Sequence, residues 1–126
     1  MIEETIFTRL STFAGLAALV STRIYPVIMP QGAVKPAITY QLISSTRESC
    51  MVKDDGIVRA RFQITAWGET FTGVKAVIEQ VRQALQRWST SGVQDTYIDG
   101  QYDLYDEGAY LHGAAIDAMV VYEEVV

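Results

Sequence analysis

Apolar residues recur along this chain with two periods, and the switches between them mark out its elements. At the start, Ile2, Ile6, Leu10, Phe13, Ala17 and Val20 fall three or four apart, on one stripe of an α-helix. Ala14, Leu16 and Leu19 widen that stripe, so the pattern predicts one well-buried helix ending near Ser21-Thr22. Pro26 bars its continuation. Over 37–45 the period falls to two, with Ile38, Tyr40 and Leu42 on one side and Thr39 and Gln41 on the other. A clearer strand covers 57–67. Val58, Ala60, Phe62, Ile64 and Ala66 face one way, and Arg59, Arg61, Gln63 and Thr65 face the other. A sheet with one buried and one wet face carries this alternation.

Helical spacing returns over 70–88, where Val74, Val77, Ile78, Val81, Leu85 and Trp88 form the stripe. Thr70 or Thr72 is placed to cap that helix, and Ser89-Thr90-Ser91-Gly92 to stop it. Asp99-Gly100, flanked by Tyr97-Ile98 and Gln101-Tyr102, predicts a two-residue hairpin turn, and a last strand runs over 110–123. Residues 46–56 read as a loop too long for a tight turn, which makes them a candidate contact element. Between first helix and first strand, Pro26, Pro30 and Pro36 fix φ and Gln31-Gly32 supplies a turn. That segment reads as an ordered connector. The order α-β-β-α-β-β-β lacks the regular βα alternation of a parallel sheet. It predicts one α+β domain over residues 1–126, an antiparallel sheet with two amphipathic helices packed on one face.

Composition narrows the picture further. The chain has 126 residues, 49% of them apolar and 20% charged, which fits a single folded domain burying roughly two-thirds of its unfolded surface. A net charge of −5 and a pI near 4.7 speak against broad phosphate binding, which needs clustered cations. Cys50 is the single cysteine, so no intrachain disulfide framework exists. No apolar run has membrane-spanning length. Met1-Ile2-Glu3-Glu4 is acidic where a signal peptide is basic, which predicts a chain that is intracellular when made.

Candidate chemistry is sparse. Gly68-Glu69-Thr70-Phe71-Thr72-Gly73-Val74-Lys75 follows a strand and opens a helix, as a phosphate loop does. Val74 nevertheless separates Gly73 from Lys75, no Ser or Thr follows the lysine, and Glu69 repels phosphate. His112, the single histidine, has neither metal-ligand partners nor a nucleophile at motif spacing. Asp95, Asp99, Asp103, Asp106 and Glu107 lack the alternate spacing of a calcium loop and read as a solvated hairpin rim. No catalytic, cofactor-binding or metal residue is nominated, and no enzyme is expected. Tyr97, Tyr102, Tyr105 and Tyr110 crowd the same acidic region, and tyrosine is enriched at protein interfaces. Arg59 and Arg61 read either as ordinary residues of the wet face or as partners, across strands or subunits, of acids such as Asp117. The candidate subunit or partner contacts are thus Arg47, Glu48, Met51 and Lys53 in the loop, Arg59 and Arg61 on the strand, and Tyr97, Tyr102 and Tyr105 at the rim.

Arg23-Ile24-Tyr25-Pro26, Pro30-Gln31-Gly32 and Pro36-Ala37-Ile38-Thr39-Tyr40-Gln41 occur in that order. They are followed by Arg59-Ala60-Arg61-Phe62-Gln63-Ile64, Ala66-Trp67, the helix over 74–85 and Ile116-Asp117-Ala118. In order and spacing, across about 22–122, the chain resembles the tail completion proteins of long-tailed bacteriophages and prophages. It departs from them at Leu111-His112-Gly113, where an arginine is expected shortly before the aspartate, and in the Asp/Tyr-rich segment 95–110.

The resemblance implies a structural protein of the virion tail or neck, assembled in the host cytoplasm as a ring, typically a hexamer, at the head-proximal end of the tail. Its implied partners are further copies of itself, the tail tube protein and the head-side connector. DNA passes through such a ring without sequence-specific binding, and an acidic subunit suits a conduit that must not grip phosphates. Competing readings are another neck component such as a head-side stopper, a small nucleotide-binding module using Lys75, and an adaptor that docks peptides on a strand edge.

Overall fold

The computed structural model describes residues 2–49 and 54–123, with the backbone alone at 48, 49, 54 and 55. In chain order the elements are α1 (Ile2–Thr12), α2 (Ala14–Val20), β1 (Ile24–Pro26), β2 (Ala37–Ser49), β3 (Asp54–Gly68), α3 (Phe71–Leu85), β4 (Val93–Asp106) and β5 (Leu111–Glu123). The strands form one sheet in the order β1-β2-β3-β5-β4. β1 runs parallel to β2, and every other pairing is antiparallel. The fold is α+β as expected, but the sheet is mixed and the helices number three.

Each difference has a local cause. The single expected first helix breaks at Phe13, which is extended at φ −78° and ψ 114°. Just before it, the Ser11 and Thr12 hydroxyls donate to the Thr8 carbonyl at 3.2 and 2.7 Å, drawing that carbonyl away from regular helix bonding. The extra strand comes from the proline-rich connector, too short a piece to show a period. Ile38 N–H donates to the Arg23 carbonyl at 3.0 Å and Val27 N–H to the Tyr40 carbonyl at 2.8 Å. Arg23 then locks the connector by donating from Nε to the Pro36 carbonyl at 2.9 Å. At Gly32 the chain turns with φ 80°, the left-handed conformation that the Gln31-Gly32 pair predicts.

Two expected turns fall elsewhere. Asp99-Gly100 makes no hairpin: β4 continues through it with a register shift between Ile98 and Gly100, because β5 supplies partners on both sides. The reversal comes instead at 107–110, where the Asp106 carboxylate accepts from Gly108 N–H at 3.0 Å and Ala109 N–H at 3.2 Å. The long loop expected at 46–56 is largely strand. β2 runs on to Ser49 and β3 starts at Asp54, with Ser49 in register with Asp54.

The core lies between the three helices and one sheet face. Ile6, Leu10, Leu16 and Val20 meet the α3 stripe of Val74, Val77, Ile78, Val81 and Leu85, over Phe62, Ile64 and Ile116. Burying each such side chain contributes about 1.5–3 kcal/mol. One charged residue joins this apolar side. Arg9 Nε donates to the Ala84 carbonyl at 2.8 Å, in the last turn of α3, and the guanidinium lies over the rings of Phe13 and Trp88.

Thr70, rather than Thr72, caps α3: its hydroxyl accepts from Gly73 N–H at 3.1 Å. Thr70→Ala is expected to lower stability by about 1 kcal/mol, read from a chemical denaturation midpoint at unchanged slope. An unshifted midpoint would show that water replaces the hydroxyl at no cost.

Candidate functional site

β3 alternates as its sequence predicts. Val58, Ala60, Phe62, Ile64 and Ala66 are all buried, which turns Arg59, Arg61, Gln63, Thr65 and Trp67 to the sheet's other face. Among the described residues no helix lies there, yet Thr39 and Thr65 are buried. The connector and the 107–110 turn fold over them, leaving a cleft of about 350 Å³ lined among others by Met29, Thr65, Trp67, Leu104 and Leu111. Trp67 Nε1 donates to Thr39 Oγ1 at 3.2 Å, fixing the indole across two strands.

The candidate contact residues fall into separate groups on this frame. Arg61 sits 2.6 Å from an Asp99 oxygen and 3.8 Å from Asp117. The hydrogen bond to Asp99 raises its pKa above the usual value. The expected cross-strand pairing with Asp117 is therefore present, and Asp99 exploits the register shift to join it. Tyr97 lies half-buried opposite Met119 in the adjoining strand. Tyr102 accepts a hydrogen bond from Gln63 Nε2. Tyr105, exposed, meets His112 edge to face at 5.0 Å, and His112 meets Phe71 at 6.2 Å.

Arg47 and Arg59 are exposed near the end of the sheet away from Tyr102 and Tyr105, while Tyr97 lies level with Arg61, between them. Met51, Lys53 and the Glu48 side chain lie outside the described residues. Lys75, the lysine of the phosphate-loop-like turn, is 2.9 Å from Asp103 and lies over the Phe71 ring. An ion pair, not a phosphate, is what its position serves. On α3, Arg82 hydrogen-bonds Glu79 at 2.6 Å and holds that carboxyl's pKa down at about 2.

Among the described residues no group of three or more His, Cys, Asp or Glu is arranged to hold a metal. Among the described residues no helix is long and apolar enough to cross a membrane.

A further surface escapes the sequence reading. Leu42 belongs by alternation with buried Ile38 and Tyr40, but a register shift between Leu42 and Ser44 leaves both Leu42 and Ile43 exposed. Phe7, Val27 and Ile28 are exposed as well, and a cleft of about 750 Å³ runs past Phe7, Pro26, Val27, Tyr40 and Leu42. Burial, with Glu3 nearby, raises the pKa of the Tyr40 hydroxyl there. The available signal was Leu42-Ile43 itself, two adjacent apolar residues within an alternating strand.

The profile of one family, described as Tail completion protein gp17, matches residues 4–123. The chain belongs to this family. That membership places it among the structural proteins of phage tails, in agreement with the motif order from Arg23 to Asp117. No curated protein sequence matches this tail completion protein. Among solved structures, a chain in the structure described as "Virion of native gene transfer agent (GTA) particle" shares its fold. The TM-score is 0.75 at 19% identity, over 94% of this chain and 92% of that one.

Proposed function

We propose that this tail completion protein forms a ring at the head-proximal end of a phage-type tail. There it ends tube polymerisation and joins the tube to the head-side connector. The observation that carries the reading is the family match across residues 4–123. The fold shared with a chain of a gene transfer agent virion is consistent with it. The surface fits an assembly role: exposed apolar side chains border the β2 edge, and aromatic ones border the other side of the sheet. The role is structural, located in the virion, with assembly inside the host cell.

Deleting the chain in cells producing the parent particle tests this directly. Tubes of scattered, excessive length and unjoined heads are expected, with uniform joined tails restored by the wild-type chain. Gold-labelled protein should sit at the head-proximal tube end. Unchanged tube lengths and normal head joining without the chain would overturn the reading.

A further inference from the structure

The sheet has two open edges, and they are unlike. On one side β1 covers β2 only at Ile38, Thr39 and Tyr40. It stops at Pro26, which has no N–H to continue the ladder, and Val27 turns away with φ 64°. Residues 41–47 of β2 are exposed throughout and, among the described residues, have no strand on that side. Native edges are blunted by charge, proline or a bulge; residues 41–46 contain neither charge nor proline, the register shifts once between Leu42 and Ser44, and Leu42 and Ile43 stand exposed. On the other side β4 is the edge. Its first part is occupied, since Arg87 N–H donates to the Thr96 carbonyl, while 98–106 borders no further strand.

The two sides also differ in charge. The cations flanking β1 and β2 are Arg23, Lys35 and Arg47, while Glu3 and Glu4 of α1 stand beside the cleft at Tyr40, Gln41 and Leu42. Arg23 and Lys35 donate to backbone carbonyls, which leave their charge uncompensated. From Val93 to Tyr110 there is no Lys or Arg, and Asp95, Asp99, Asp103, Asp106 and Glu107 line the region. Neighbouring Arg87, Arg61 and Lys75 face the first three of these; Asp106 and Glu107 lie at the end beyond them. Like charges would set one β4 edge against another. The Arg23 and Lys35 end of the other side is the complement of Asp106 and Glu107.

Strand direction agrees with this pairing. β2 and β5 run one way, β3 and β4 the other. A rotation about an axis parallel to the strands preserves those senses, so the β4 of a neighbouring copy meets β2 antiparallel. That sense brings its Asp99 toward Arg47, and its Asp106 and Glu107 toward Lys35 and Arg23.

We propose that the open stretch of β2 in one subunit takes residues 98–106 of a second copy's β4 as an added antiparallel strand. The contact is head-to-tail and so propagates around a closed ring. It rests on the ring reading above. Exposed Tyr102 and Tyr105 lie on the incoming strand, and Leu42 and Ile43 on the receiving one, an aromatic–aliphatic contact beside the backbone ladder.

Site-directed cross-linking on assembled tails tests it, in full-length protein carrying Cys50→Ser. A Ser44→Cys chain is mixed in turn with Gln101→Cys, Asp103→Cys and Tyr105→Cys chains, which scan the register, and with Gln83→Cys on exposed α3 as control. Under mild oxidation one register should give mixed disulfides at least about tenfold above the control, because adjacency raises the local thiol concentration to the millimolar range. Ser44-to-Ser44 disulfides would overturn the proposal in favour of a two-fold contact, and Ser44→Cys captured on the tube protein would assign β2 to the tube. Rings without mixed disulfides in any register would overturn this interface and leave the joining role standing. A chain that never assembles on tails would remove both.

Discussion

Phe62→Ala is expected to cost about 3–5 kcal/mol, a large part of the 5–15 kcal/mol that holds a domain folded. Phe62 is the largest fully buried side chain and sits on β3, second from the β2 edge and next to β5. Its cross-strand neighbours are Ala118 on β5 and Leu42 on β2, and Ala60 precedes it on the same face. The two alanines leave a depression on the β5 side, and the phenyl ring fills it beneath the helices. Alanine at 62 would leave that depression bounded by backbone on the sheet side, with little able to collapse into it. Urea denaturation followed by circular dichroism measures the loss, with the slope checked for two-state behaviour. A loss under about 1 kcal/mol would show that the helices settle onto the sheet and that its packing is far looser than the burial indicates.

Gly113→Val is expected to cost about 1–3 kcal/mol through overpacking on the face without helices. Gly113 is in register with Trp67 on one side and Leu104 on the other. A Cβ built there would lie 3.0 and 3.1 Å from two Trp67 ring atoms and 3.3 Å from the Leu104 Cβ. The indole is held by its bond to Thr39, and Leu104 would be met at its Cβ, which moves only with the backbone. Valine's β-propensity advantage, at most ~1 kcal/mol, does not offset the clash. Thermal melting gives the size, and tryptophan emission reports whether Trp67 moves. An unchanged melt and spectrum would mean that the cleft beside Trp67 absorbs the extra methyls.

The elements with long, regular periods were legible before any coordinates. Five alternating positions of β3 and the Val74-to-Leu85 stripe repeat often enough to outweigh local noise. What escaped detection was decided by single contacts or by partners distant in sequence. β1 is three residues and exists because Ile38 N–H and the Tyr40 carbonyl offer it backbone bonds. Asp99-Gly100 carries the local chemistry of a turn, but pairing along β5 overrides it, and Arg61 takes the displaced carboxylate. The break at Phe13 depends on two hydroxyls finding one carbonyl.

Among the candidate contacts, the arginines and tyrosines were recognisable by type, but their grouping was not, because register decides which of them meet. The β2 edge was the least legible feature. An edge is a statement about the strand that fails to arrive, and no residue in β2 encodes that.

The placement of β5 has a consequence for synthesis. It follows β4 in chain order, yet it lies inside the sheet, between β3 and β4. A chain emerging from the ribosome can pair β2 with β3 early, but β4 finds its place only through β5. Until Leu111–Glu123 has left the exit tunnel, β3 has a bare inner side and β4 has no partner. A prematurely terminated chain therefore lacks the joint between its two edge regions and cannot present both in one rigid body. Translation to the end of that strand becomes a condition for entering an assembly, so incomplete products are excluded by the topology itself.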